Sequence, residues 1–402
     1  MSRILLLLPT ATYRASDFLA AAASLGVDVV VGSEQRHTLD QSMGDRAVVV
    51  PLATPDAALE VIVDLDSRTP LDAVLAVDDE GIVVAARAAE RLGFRHNSPD
   101  AVAGTRNKVV TRERLSATEL SQPSFRVIPV GADAVAAANE IGYPCVIKPV
   151  SRSASQGVIR VNDATETRGA AARIRAIIGD CPEPMIVEQY VPGAEVAVEG
   201  LLVNGRLHVL AVFDKPDPLV GPYFEETIYV TPSRHGAHTL IELERITARA
   251  TEALGLREGP VHAELRIGPT GMVTVLELAA RSIGGLCSRS LHFGGGVSLE
   301  EIIIRHALEM DVGTPRRKWL ASGVMMLPIR SAGVLDRVSG QKRARAVEGV
   351  VELQISIAPG RPVVPLPEGD RYLGFIFARG VSAQEVEATL RRAESCLDVR
   401  LR

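Results

Sequence analysis

Between Gly259 and Gly285 the chain reads GPVHAELRIGPTGMVTVLELAARSIGG, and this stretch restricts the fold because it puts carboxylates into otherwise apolar strands. Residues 261–267 alternate Val, Ala, Leu and Ile with His262, Glu264 and Arg266, the period-two signal of a strand. Gly268-Pro269-Thr270-Gly271 supplies turn chemistry, and residues 272–277 read as the returning strand. With the loop centred on Pro269 and Thr270, Leu265 faces Thr274, Glu264 faces Val275 and His262 faces Glu277. Glu264 and Glu277 then share a face as diagonal neighbours, roughly 7 Å apart at the backbone. Like charges that close destabilise a sheet unless a cation or a proton lies between them. Magnesium suits such a place, since it takes one or two protein carboxylates and completes its octahedron with water and phosphate oxygens. Arg281 follows, and Gly284-Gly285 lets a ligand approach the backbone, so the combination points to phosphate chemistry. Taken alone, the hairpin is equally well a pair of solvated glutamates at strand ends. The rest of the chain decides.

A length of 402 residues and a 47% hydrophobic content give room for two or three domains with cores of their own. A net charge of −5 and the absence of a long basic run argue against nucleic acid as a partner. The basic cluster Arg337, Lys342, Arg343, Arg345 is expected in a solvated loop. Near the N-terminus the one apolar run, residues 4–8, is ended by Pro9 and is too short for a signal segment or a membrane span. A cytoplasmic protein with no membrane partner is expected. Cys145, Cys181, Cys287 and Cys396 lack metal-ligand spacing and a disulfide pattern, so reduced, mostly buried thiols and no zinc are expected.

Strand and helix alternate through residues 1 to about 100, which predicts a parallel α/β layer. No Gly-x-Gly-x-x-Gly follows its first strand, which argues against dinucleotide binding of the dehydrogenase kind. Asp78, Asp79 and Glu80 stand at the strand end where open sheets bind ligands, although a solvated helix start is the preferred reading. A helix is expected to open at Thr105-Arg106-Asn107-Lys108 and to end before Gln122-Pro123. In Tyr143-Pro144-Cys145-Val146-Ile147-Lys148-Pro149 a lysine is embedded in an apolar strand and needs an anion. The loop Ser151-Arg152-Ser153-Ala154-Ser155-Gln156-Gly157 that follows is not a Walker A sequence, but its amides and hydroxyls are of the kind that wrap phosphate oxygens. In MIVEQYVPGAEVAVE, residues 185–199, the segment Glu188-Gln189-Tyr190-Val191 offers a strand edge for an adenine base, and Glu195 offers a carboxylate for ribose hydroxyls. Asn204-Gly205 marks a hairpin turn.

Taken in order and spacing, Asn107-Lys108, Val146-Ile147-Lys148-Pro149, the serine-rich loop, Glu188-Gln189-Tyr190-Val191 with Gly193-Ala194-Glu195, Glu264, and Glu277 with Arg281 resemble the ATP-grasp superfamily over about residues 1 to 310. The resemblance implies that Lys108 and Lys148 contact nucleotide phosphates, with Ser155 and Gly157 in the phosphate loop. It implies further that Glu188, Gln189, Tyr190 and Val191 bind adenine and Glu195 the ribose. By the same resemblance Glu264 and Glu277 hold magnesium, with manganese as an alternative, and Arg281 faces the transferred phosphoryl group or the acyl phosphate. There are two departures. Ala279 stands where relatives usually carry an asparagine ligand, and the phosphate loop is bulkier than the glycine-rich loops usual in the family.

Gly259-Pro260-Val261-His262-Ala263-Glu264, Arg281-Ser282-Ile283-Gly284-Gly285 and the tail look like the L-amino acid ligases that join two amino acids. The fold implied is α/β and α+β: an N-terminal parallel α/β domain (1–100), an ATP-grasp core of two α+β subdomains (101–320) and a small C-terminal α+β domain (321–402). In that tail, strands are predicted at residues 323–329, 347–357 and 373–378, followed by a helix capped by Ser382-x-x-Glu385. The activity implied is ATP-dependent joining of a small-molecule carboxylate to an amine through an acyl phosphate, with release of ADP and phosphate; a homodimer is left open. His262 is one candidate for the base that accepts the amine proton. The rival readings are a bicarbonate-using carboxylase of the same superfamily and a nucleotide-binding regulatory protein without turnover.

Overall fold

The first apolar run forms β1 (Arg3–Leu8), five of whose six residues are buried. With β2 (Asp28–Ser33), β3 (Ala47–Val49) and β4 (Ala73–Ala76) it makes a parallel sheet ordered β3-β2-β1-β4. Being covered on both faces, such strands need no polar alternation, which is why they read as continuous apolar runs. The computed structural model describes residues 2–10, 12–35, 46–317 and 321–402.

A smaller sheet, β5 (Phe125–Ile128), β6 (Cys145–Pro149), β7 (Ile159–Val161) and β8 (Met185–Gln189), is antiparallel and ordered β5-β8-β6-β7. Helices Ala134–Ile141 and Ala164–Ile178 pack on it around Ile147, Ile174 and Val187. The largest sheet begins with β9 (Ala194–Val203), β10 (Arg206–Asp214), β11 (Ile228–Thr231), β12 (Gly259–Ile267) and β13 (Val273–Ala279). It continues through β14 (Ala321–Leu327), β18 (Gly374–Gly380) and β16 (Val350–Ile355), in the order β13-β12-β9-β10-β11-β14-β18-β16. Strands β15 (Gly333–Ser339), β17 (Pro362–Val363) and β19 (Asp398–Leu401) form a separate small sheet. The chain is thus α/β at its N-terminus and α+β beyond, as the sequence implies.

Several local expectations need correction. The helix expected to open at Thr105 is two helices, Pro99–Arg106 and Lys108–Ser116, because the Asn107 side chain accepts from the backbone of Val109 and Val110 and starts a new helix. The tail holds three strands, β15, β17 and β19, that local pattern did not reveal. The basic cluster is not a loop: Arg337 lies in β15, and Lys342, Arg343 and Arg345 lie in helix Gln341–Arg345, where Arg345 donates to the Leu353 carbonyl. Of the cysteines, all free, Cys145 and Cys287 are buried while Cys181 is exposed. No helix among the described residues is long and apolar enough to cross a membrane.

The N-terminal unit is tied to the largest sheet by Asn97. Its side chain accepts from the Arg257 and Glu258 amides at 2.6 and 2.8 Å and donates to the Glu258 carbonyl at 2.6 Å, just before β12. Asn97→Ala strips buried backbone groups of their partners and is expected to lower unfolding free energy by about 1–3 kcal/mol, read by thermal or denaturant unfolding.

Candidate functional site

A cavity of about 290 Å³ opens where the ends of β1 and β4, the small sheet and strands β9, β12 and β13 meet. Every residue predicted for the site lines it except Gly157. Gly157 serves the loop's shape instead. Its φ is +71°, a Cβ there would lie 3.0 Å from the Pro149 ring, and its amide donates to the Pro367 carbonyl at 2.9 Å. Ala154 and Ser155 also take left-handed backbone, with φ of 54° and 55°, so the loop reaches glycine-like conformations without glycine.

The hairpin is present, but its register differs from expectation. Leu265 pairs Val275, Glu264 pairs Glu277 and His262 pairs Ala279. A bulge at Leu276 adds one residue to β13, so the two glutamates are direct partners rather than diagonal neighbours. It also turns both Leu276 and Glu277 toward the cavity.

The nearby charges form three buried groups. In the first, Glu188 accepts from Arg112 Nε at 2.7 Å and pairs with Lys148 Nζ at 2.7 Å. Burial pushes the Glu188 carboxyl up, but the two cations outweigh it and bring it to about 2. Burial pulls Lys148 below its ordinary value despite that carboxylate. In the second, Lys215 reaches Glu195 at 2.8 Å, Glu264 at 3.2 Å and also Glu226. Carboxylate oxygens of Glu195, Glu226 and Glu264 lie within 4.8 Å of one another, a set able to hold a metal ion. Lys108 stands 3.8 Å from Glu277. In the third, Arg281 donates to Asp79 at 2.9 Å, with Arg106 3.3 Å away on the other oxygen. Burial opposes the Asp79 charge, yet the two guanidinium groups hold its carboxyl well below the usual range. Asp79 is therefore a buried partner of Arg281, not part of a solvated helix start, and the helix itself begins at Ile82.

Around Tyr190 the walls become aromatic. Its ring stacks with Phe224 at 6.5 Å, with the Arg160 and Arg266 guanidinium groups 4.4 and 5.3 Å from its centroid. Arg266 also donates to Glu195 at 2.9 Å and to the Val191 carbonyl at 2.5 Å. Tyr190, Phe224, Leu219 and Val146 together give this part of the cavity an apolar wall.

His262 does not suit the role of base. Its ring lies 3.1 Å from Glu199 and 3.4 Å from Glu264. Burial alone would lower its pKa, but hydrogen bonds to the two carboxylates raise it to about 9, which favours the imidazolium form in the metal-free protein. Sequence reasoning missed Lys215, Glu226, Arg112 and Arg266. Lys215 carried a usable signal, since it directly follows the largely apolar strand β10, much as Lys148 stands next to last in β6. Arg112 carried none, because its partner Glu188 lies 76 residues further along, and Glu226 lies in an irregular stretch between β10 and β11.

The raised pKa of His262 makes stability depend on pH. Its contribution is complete below the unfolded value of about 6.5 and is lost as pH rises through about 9. Metal-free wild type is expected to lose on the order of 2–3 kcal/mol of unfolding free energy over that window relative to His262→Gln, measured by denaturant unfolding at a series of pH values.

Comparison with known proteins agrees with this layout. The ATP-grasp N-terminal domain matches residues 19–95, the ATP-grasp domain 141–290, and L-amino acid ligase C-terminal domain 2 matches 325–402. An L-amino acid ligase from Bacillus licheniformis superposes with a TM-score of 0.84 and 25% identity, covering 100% of this chain and 99% of that one. N5-carboxyaminoimidazole ribonucleotide synthetase from Thermotoga maritima, 16% identical, has a TM-score of 0.75 with both chains fully covered, a likeness of fold alone. The alanine–anticapsin ligase of Bacillus subtilis (strain 168) is 25% identical over 249 residues, 57% of this chain and 52% of that one. The chain spans about half the length of such curated ligase relatives. With three segments matched in chain order and a full-length match of fold, the chain belongs to the ATP-grasp superfamily and ends in a C-terminal domain of the L-amino acid ligase type.

Proposed function

We propose that this protein is an ATP-dependent carboxylate–amine ligase that joins an amino acid, or a related acid, to an amine through an acyl phosphate. The observation that carries the reading is one cavity holding Lys108, Lys148 and Arg281 beside the facing carboxylates Glu264 and Glu277, with an aromatic slot at Tyr190. Lysines and an arginine gathered at one end fit the polyphosphate, and the slot fits the base.

The donor set also fits a divalent cation. Glu264 faces Glu277 across the hairpin and shares Lys215 with Glu195 and Glu226, so the carboxylates already gather around positive charge. Glu264 and Glu277 would hold magnesium, which supplies charge neutralisation at phosphate oxygens when bound. Ala279 brings no ligating atom and is buried at the cavity wall.

Phosphoryl transfer to a carboxylate asks for positioning and electrostatic stabilisation rather than an enzyme nucleophile. Lys108 and Lys148 bind phosphate oxygens from the small-sheet side. Arg281, oriented by Asp79, presents a fixed cation to the charge that develops on the transferred group. The amine then displaces phosphate from the acyl group, releasing ADP, phosphate and an amide.

Three outcomes test this reading. Saturating Mg-ATP raises the melting temperature, since a ligand at 100 times its dissociation constant adds about 2.7 kcal/mol. Glu264→Gln and Glu277→Gln each abolish turnover with the fold intact by circular dichroism. A screen of amino-acid pairs followed by chromatography finds ADP and an amide, and Arg281→Ala lowers turnover by a factor on the order of 10³ with ATP affinity little changed. Formation of AMP, or ADP release that depends on bicarbonate alone, overturns the proposal.

A further inference from the structure

The phosphate loop is held from outside the small sheet that carries it. Residues 364–373, between β17 and β18, fold back against the cavity and touch the loop 151–157. The Gly157 amide donates to the Pro367 carbonyl at 2.9 Å, and the Gln156 side chain donates to the Glu368 carbonyl at 2.8 Å. Beside them Arg173 grips Glu368 through two nitrogens, Nη2 to Oε2 at 2.8 Å, and donates to the Tyr223 hydroxyl. The far end of the segment enters the site itself, where Asp370 and Tyr372 line the cavity and the Tyr372 hydroxyl lies 3.5 Å from Glu226. The segment turns tightly on itself at Gly369, where a Cβ would meet the Val364 carbonyl oxygen at 2.1 Å.

We propose that residues 364–373 act as a clasp in which Glu368 and Arg173 are positioning residues, setting the phosphate loop over the cavity while Tyr372 fixes the carboxylate group at its other end. The catalytic part of this inference rests on the nucleotide reading above; the structural part does not. Two hydrogen bonds from the segment reach a loop whose Ala154 and Ser155 sit in left-handed backbone that L residues rarely adopt, a shape that needs support from its surroundings, and the Arg173–Glu368 pair holds the segment beside it. The Arg173–Glu368 pair is about 40% exposed, so its bidentate geometry orients the loop while contributing little to global stability.

The test uses the full chain as Arg173→Ala, Glu368→Ala and the charge swap Arg173→Glu with Glu368→Arg. In ligand-free protein, hydrogen exchange over 153–157 is expected to rise in both single variants and to fall back in the swap, with unchanged melting temperature. In turnover assays, KM for ATP is expected to rise on the order of tenfold in the single variants with kcat changed far less, and the swap restores it. Unchanged exchange in both single variants overturns the clasp. So does increased exchange with an unaltered KM for ATP. If wild-type protein fails to bind Mg-ATP, the nucleotide reading falls, and the exchange measurement alone decides whether the clasp exists.

Discussion

Carboxylates on three adjacent strands, buried at Glu195 and Glu199 and half-buried at Glu264 and Glu277, set the terms for the rest of this structure. Glu195 and Glu199 lie on β9, Glu264 on β12 and Glu277 on β13, and such charges cannot share a cavity wall unless cations answer them. The register supplies part of the answer directly: Glu195 pairs Arg266 and Glu199 pairs His262 across β9 and β12. Lys215 at the end of β10 answers Glu264 together with Glu195 and Glu226. Glu264 against Glu277 is the step where like charges face each other without an intervening base.

The same requirement joins separate parts of the chain. Arg281 leaves β13 and finds Asp79 beyond β4, so the N-terminal sheet supplies the counter-charge for a cation of the central hairpin. Arg112, before the small sheet, crosses to Glu188 in β8 and to the Val275 carbonyl in β13. Glu199, fully buried, accepts from the Ile283 amide at 3.0 Å and steadies the turn after Arg281. Each pair is a buried charge satisfied by a residue far away in sequence. Breaking one partner leaves the other uncompensated, so these contacts fix relative placement more than they add net stability.

Both ends of the chain therefore take part in the cavity. Strand ends of the N-terminal sheet place Tyr13, Asp78 and Asp79 on one wall, at the position where open parallel sheets receive ligands. From the other direction, β14, β18 and β16 extend the central sheet, and the segment before β18 delivers Asp370 and Tyr372. The C-terminal strands are thus continuous with the sheet that carries the carboxylates.

What the sequence determined by itself was local. Alternation showed which side chains of 261–267 share a face, Asn204-Gly205 marked its turn, and a lysine inside an apolar strand at Lys148 announced a buried anion. These follow from the two-residue period of a strand, from turn chemistry and from the cost of burying an unpaired charge, none of which needs a partner to be known. The order of motifs then sufficed to place the chain in its superfamily. Tertiary structure alone decided the bulge at Leu276, the partners of Lys215 and Asp79, the charged state of His262, and the joining of the C-terminal strands to the central sheet. The physical reason is that register and ion pairing depend on what is buried across separations of tens to hundreds of residues, and a single inserted residue changes which side chains face one another.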